Sequence, residues 1–340
     1  MIAVLLTLLA GSPGPQPAPA PAPAPAPVVS RRPAGQTPAE IVAAAPAAAW
    51  RRMAAADLLV MELAPDSAGK PRRIVIQLLP APFSTGHVAN VRALARAHWW
   101  DGTSVNRVQD DYVAQWGDAS ERKPLPPGLE KVAQADYVAD LGPTRVDGAA
   151  LRAGGGEAAF IGRVTTLARD PYADVTMIWR GWPVASGVRG AAADPRRTIA
   201  WPVHCYGMVG VGRDMAPDTG TGAELYAVIG HAPRHLDRNI ALIGRVIEGI
   251  DHLSSLPRGT QPLGFYATAA ERVPIVSVRL ASELPAAQQP QFEYLATDSA
   301  SFARYADARA NRQDAFFIAP AGGADVCNVT VPIRRAVTPS

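Results

Sequence analysis

From about Ala55 onward, short apolar runs alternate with turn-forming residues. Leu58–Leu63 (LLVMEL) and Ile74–Leu79 (IVIQLL) have strand length and composition, and Pro65–Gly69 (PDSAG) lies between them. The pair predicts a β-hairpin ended by Pro80 and Pro82. The period then changes: Val88, Val91, Leu94 and Ala95 share one face at helical spacing. This predicts a helix over about 84–97, capped by Ser84 or Thr85, with Gly102 closing the run. Two short strands follow, Ser104–Val108 and Tyr112–Trp116, joined through Gln109–Asp111. Ala119 to about Pro202 is rich in Pro, Gly and Ala and has little sustained period. It reads as an insertion of loops and short pieces, among them Gly154–Gly156 and Val175–Trp179. Patterning resumes at Val203–Gly212. Strands are predicted at Glu224–Ile229, Ile240–Leu242 and Val273–Leu280, and a helix at Gly244–Ser254 with Val246, Ile247 and Ile250 inward. Short strands broken by turns, with two modest helices, predict a mainly β fold closed into a barrel rather than a βαβ protein.

Composition narrows the function classes. Among 340 residues, 48% are apolar, enough for a sizeable core, which excludes a wholly disordered chain. No apolar run reaches the ~20 residues needed to cross a bilayer, so a multi-span membrane protein is excluded. The net charge is only +3, and Arg31-Arg32, Arg51-Arg52 and Arg72-Arg73 are isolated pairs rather than a stripe, which argues against nucleic acid as a partner. Eleven of the 33 prolines fall in the first fifty residues, and Pro17–Pro27 alternates strictly with alanine. With φ fixed and every second amide hydrogen missing, that stretch is an extended spacer. Met1–Ala10 before it has the length of a secretory-signal core, so export to the periplasm is expected, with a cytoplasmic chain as the alternative. Residues 1–35 are thus read as a leader and linker.

Generic chemical motifs are scarce. Gly210-x-Gly212 lacks the third glycine and following helix of a dinucleotide fingerprint, and no P-loop or nucleophile elbow is present. His231 and His235 stand at i, i+4, but Pro233 between them argues against a helix presenting both to zinc. No metal or cofactor is expected. Cys205 and Cys327 suit one long-range bridge in an oxidising compartment, and suit two buried thiols about as well.

Three segments carry more. Asn90–Leu94 (NVRAL) runs into Trp100–Thr103, and Val105–Asp118 reads VNRVQDDYVAQWGD. His204–Asp251 contains Pro217–Thr219, Gly222–Tyr226, His235–Asp237 and Gly244–Asp251 (GRVIEGID). In this order they resemble the cyclophilin family of peptidyl-prolyl isomerases, with its N-F-R-A-L helix, its F-H-R-V-I-x-x-F-M-x-Q-G-G-D strand pair, and its P-N-T, W-L-D and G-R-V-x-x-G-M-D elements. The resemblance covers about 55–118 and 203–262. It implies an eight-stranded antiparallel barrel capped by two α-helices, spanning a domain of 36–262 with the insertion at 119–202. Residues 263–340 would form an extension packed on the barrel. The implied activity is rotation about Xaa-Pro bonds of polypeptide substrates by a monomeric chain. The alternative is a groove that binds peptides with little or no turnover.

The resemblance also implies site residues. Arg107 matches the catalytic arginine, and Gln115 the glutamine that binds substrate backbone and orients it. Tyr112, Val113, Tyr226 and Leu236 match the wall of the proline pocket. Asp214 stands where an asparagine's backbone grips the peptide, and Glu224 replaces a groove glutamine. Departures are visible too: His235 replaces a tryptophan, Ile240 a histidine, Arg213 an alanine and Trp116 a glycine.

Overall fold

Local sequence explains most of the elements seen in a computed structural model, which describes residues 35–140, 158–159, 170–191 and 194–336. The Met1–Ala10 and Pro17–Pro27 segments and Gly154–Gly156 lie outside the described residues. In chain order the first elements are α1 (Pro38–Ala43), β1 (Trp50–Arg52), β2 (Leu58–Leu63), β3 (Arg72–Leu78), α2 (Thr85–Arg96), β4 (Ser104–Val108) and β5 (Val113–Gly117). The insertion contributes β6 (Ala139–Asp140), β7 (Ala158–Ala159), β8 (Val175–Trp179), β9 (Trp182–Ala191) and β10 (Asp194–Pro202). Then come β11 (Met208–Val211), β12 (Leu225–Val228), β13 (Leu242–Glu248), α3 (Asp251–Ser254), β14 (Val273–Leu280), β15 (Phe292–Leu295), α4 (Ala300–Ala310) and β16 (Ile333–Arg335).

Eight strands close an antiparallel barrel in the order β11-β12-β5-β4-β14-β2-β3-β13. Successive side chains of a strand point to opposite faces, so Leu59, Met61, Ile74 and Ile76 fill the interior with Val105 and Trp116. The intervening Leu58, Val60 and Val75 are also buried, against Met53, Ala281 and Phe292 outside the barrel. A strand covered on both faces reads as a continuous apolar run, and β2 does so for this reason. Helix α2 buries Val88, Val91, Leu94 and Ala95, the predicted stripe. Its start is different from the expectation. Ser84 stands at the N-cap position, but at φ 47° and without a side-chain capping bond; the turn opens with the Val88 N–H donating to the Ser84 carbonyl.

Three further expectations are corrected. Tyr112 lies in the turn ahead of β5, whose first residue is Val113. The predicted helix at 244–254 is strand through Glu248, and only Asp251–Ser254 is helical. Gly244 explains this, because β13 passes so close to β3 there that a Cβ would lie 2.4 Å from the Gln77 carbonyl oxygen. The insertion is no set of loops: β6-β10-β9-β8-β7 make a five-stranded antiparallel sheet. Pro183, Gly187 and Pro195 interrupt its apolar period, which hid the strands in the sequence. Met177, Ile178, Trp179, Trp182 and Trp201 join it to the main core.

One buried cation ties the sheet to the barrel. Arg245 on β13 donates from Nε and Nη2 to Gln77 Oε1 at 3.0 and 2.8 Å, and from Nη1 to the Gly181 carbonyl at 2.6 Å. Its guanidinium lies 4.4 Å from the Trp182 ring centroid, and burial lowers its pKa to about 10.

The domain boundary at 262 also moves. β14, at 273–280, pairs with both β2 and β4 and completes the barrel, so the barrel spans 58–280. The chain before it belongs with the chain after it: β1, β15 and β16 form a three-stranded sheet, and α1 packs on α4. A disulfide joins Cys205, just before β11, to Cys327 in this C-terminal layer, across 122 residues of sequence. Closing so long a loop removes much entropy from the unfolded chain. Replacing both cysteines with serine is expected to lower the unfolding free energy by about 2–4 kcal/mol. Urea denaturation of the oxidised protein and the double variant measures this, and coincident midpoints would refute it.

Candidate functional site

Three neighbouring strands assemble the predicted residues. In the β4–β5–β12 ladder Gln115 stands between Arg107 on one side and Tyr226 on the other, and Val113 stands opposite Val228. The β4–β5 register shifts between Val105 and Arg107, a bulge that re-aims the strand where the arginine emerges. Along β5, Ala114 and Trp116 point into the barrel core, leaving Val113 and Gln115 for the outer face. There Val113, Tyr226 and Val228 form an apolar cluster of their own, at most 4% exposed, with Tyr112 and Ile240 packed at its edge. An apolar patch therefore sits on the outside of the barrel within one strand of a guanidinium.

That guanidinium is held on several sides. Arg107 donates from Nη1 to Gln115 Oε1 at 3.0 Å, from Nε to the Leu263 carbonyl at 2.7 Å, and from Nη2 to Gln109 Oε1. Its centre lies 5.8 Å from the Tyr112 ring and 5.4 Å from the Phe265 ring. Burial pulls its pKa below the usual arginine value, yet an arginine stays charged at physiological pH. Behind Gln115, its amide nitrogen faces Glu224 Oε2 at 3.5 Å. The carboxyl fills the space beside Gly117, where a Cβ would come within 1.8 Å of Oε1. Burial raises the Glu224 pKa, opposed by donors from Gln115, Asn106 and the Asp118 backbone. Asp118 is the reverse case: burial pushes its pKa up, but Ser120 and the N–H groups of Lys123, Ser120 and Arg122 hold it down to about 2.

A polar network lies beneath the apolar cluster. The Tyr226 hydroxyl meets His204 Nε2 at 2.9 Å, and His204 Nδ1 meets Asp237 Oδ1 at 3.0 Å. Arg234 Nε donates to Asp237 Oδ2 at 2.7 Å, and its Nη1 and Nη2 donate to Asp170 of the insertion at 2.8 and 3.1 Å. Burial lowers the His204 pKa and keeps the ring neutral. The same burial would raise Asp237, but His204 and Arg234 outweigh it and hold the carboxylate ionised. Gly210 makes room for the phenol, since a Cβ there would lie 2.3 Å from its oxygen.

The family model described as cyclophilin type peptidyl-prolyl cis-trans isomerase/CLD matches residues 67–280, more than half of the chain. The chain belongs to the cyclophilin family. Its fold resembles that of cyclophilin AquaCyp293 from Hirschia baltica, with a TM-score of 0.60 and 22% identity, covering 85% of this chain and 95% of that one. A cyclophilin type peptidyl-prolyl cis-trans isomerase of Cryptosporidium parvum, crystallised with the dipeptide Ala-Pro, aligns over 65% of this chain and 98% of its own at 10% identity and a TM-score of 0.34. No curated protein sequence matches the chain.

Within this cyclophilin the remaining predicted residues are placed as follows. His235 is exposed and stacks on Tyr112, with ring centroids 6.4 Å apart and planes 10° from parallel. Leu236 is half-buried in the turn Arg234–Leu236 and is not among the residues packed on the Val113–Tyr226 cluster. Asp214 is exposed, but its backbone is engaged: its N–H donates to Asp218 Oδ2 at 2.8 Å, and its carbonyl accepts from Arg213 Nη1 at 2.6 Å. The same Arg213 binds the Asn239 carbonyl, next to Ile240. Sequence reasoning missed Gln109, Leu263, Phe265 and the His204 ring. Leu263 acts through a backbone carbonyl at φ 60°, which leaves only the turn signal Pro262-Leu-Gly264 in the sequence.

The raised Glu224 pKa gives a signed expectation. Its folded-state pKa lies above the ordinary value of 4.5. The folded protein thus keeps this proton to higher pH than the unfolded chain, and the group's contribution to stability falls as pH rises through that window. Glu224→Gln keeps the shape without the buried charge. The variant is expected to be more stable than the parent at pH 7.5, by at most about 1 kcal/mol given partial exposure, with the gain gone by about pH 4. Urea midpoints at the two pH values measure it.

Proposed function

We propose that the protein is a peptidyl-prolyl cis-trans isomerase that assists folding of proline-containing polypeptides, with Arg107 as its catalytic residue and the Val113–Tyr226–Val228 surface as its proline site. One observation carries this reading: a fixed guanidinium stands beside an apolar cluster that is separate from the barrel core. Xaa-Pro rotation is opposed by amide resonance, a barrier of ~18–20 kcal/mol. A cation donating toward the prolyl nitrogen favours its pyramidal form and weakens that resonance, while the apolar surface holds the ring still. The reaction requires no covalent intermediate and no net proton transfer. Fixed donors suffice, because their orientation costs nothing at the moment of rotation. Gln115 orients Arg107 through the 3.0 Å contact, and the Tyr226 hydroxyl, anchored to His204, keeps the floor of the proline site rigid.

Export to the periplasm is part of the proposal. The Cys205–Cys327 disulfide supports it, since such bonds persist in oxidising compartments.

A second reading, a peptide-binding module with little turnover, is favoured by the engaged backbone of Asp214 and by the three internal acceptors already on Arg107. NMR exchange on an Ala-Xaa-Pro-Phe peptide separates the two. The isomerase is expected to raise the cis/trans exchange rate, and Arg107→Ala to lower kcat/KM about 100-fold. Binding without exchange would establish the second reading, and an unchanged rate in Arg107→Ala would remove the arginine from the mechanism.

A further inference from the structure

The stacked pair Tyr112 and His235 forms one edge of the proline surface and also one wall of a separate cleft of about 680 Å³. Barrel connections at Asp111 and 230–234 line it too, and chain outside the barrel adds to them: Tyr172 comes from the insertion, and Asp325 and Asn328 come from the C-terminal layer pinned by the disulfide. Tyr206, beside Cys205, completes an aromatic lining, and it is 52% exposed where Tyr172 is 41% exposed. A peptide leaving the proline surface over Tyr112 and His235 enters this space.

Charge selects what would fill the cleft. Among the described residues its one lining arginine or lysine is Arg234, which is only 6% exposed and is consumed by Asp170 and Asp237. Asp325 caps the Cys327 N–H through Oδ1, while Oδ2 lies 3.8 Å from Arg234. Asp111 accepts the His231 N–H through Oδ1 and is otherwise exposed. The lining therefore carries two carboxylates, Asp111 and Asp325, and a guanidinium already paired with Asp170 and Asp237 behind it, with His231 and His235 also on the lining. An aromatic wall attracts a cation through its π face and covers the apolar stem of a long side chain. The carboxylates at the rim complement the charged head.

We propose that this cleft is a second substrate subsite, which takes a lysine or arginine side chain within a few residues of the proline of the same peptide, because Tyr112 borders both the cleft and the proline surface. The proposal rests on the reading that a proline peptide occupies the Val113–Tyr226 surface, and it adds a substrate class to it.

The test uses the full chain and short peptides with lysine, alanine or glutamate within a few residues of the proline, on either side. Affinity is read by titration and turnover by NMR exchange. On one side of the proline the lysine peptide is expected to bind about tenfold more tightly than the alanine peptide, with glutamate weakest and the preference reduced by salt. Asp325→Asn retains the oxygen that caps Cys327 but loses the charge, so it should bring the lysine/alanine ratio toward one without altering the alanine peptide. Tyr172→Leu should lower the ratio in the same way. Equal binding of the lysine and alanine peptides, or a full preference retained in both variants, would overturn the subsite. Lysine preference without any exchange enhancement would leave the subsite standing and remove the isomerase reading. Exchange without the preference would do the reverse.

Discussion

The two faces of β5 constrain most of this molecule. A strand in a closed barrel must give one face to the interior, and β5 gives Ala114 and Trp116 to it, with Trp116 only 1% exposed. Large apolar residues inward fix the register, because a slip of one residue would bury Gln115 and expose Trp116. The same register sets Gln115 between Arg107 and Tyr226 on the outer face. Packing in the core and geometry at the site are thus decided by one alternation.

What was legible in the sequence follows from range. The β2–β3 hairpin, the buried stripe of α2 and the strands that carry Arg107 and Gln115 depend on neighbours a few residues apart, and local period records them; the roles of those two residues came from the resemblance alone. The His204–Tyr226–Asp237 network joins residues 22 and 33 positions apart, and nothing in a periodicity marks it. The insertion sheet was hidden for a different reason: prolines and glycines inside β9 and β10 mimic loop composition, although the ladder between them is continuous from Arg197 to Pro202. The boundary at 262 failed because the eighth barrel strand follows a stretch of turns, and only barrel closure reveals its membership.

Polar groups around the candidate site fit together in space. Tyrosine at position 226 brings a hydroxyl to a buried site, and that hydroxyl requires both an acceptor or donor and room. His204 supplies the first and Gly210 the second. Arg213 similarly binds the backbone of its own loop and the Asn239 carbonyl beside Ile240.

Arg234 gives the added sheet a meaning beyond decoration. With Asp170 removed, two donors of a nearly inaccessible guanidinium would lose their acceptors while Asp237 still held Nε, and unsatisfied buried donors of a charged group cost more than a lost surface contact. The segment bearing Asp170 is therefore not a detachable module. A barrel trimmed of the segment that bears Asp170 would have to neutralise position 234 in the same step, so that deletion requires two coordinated changes.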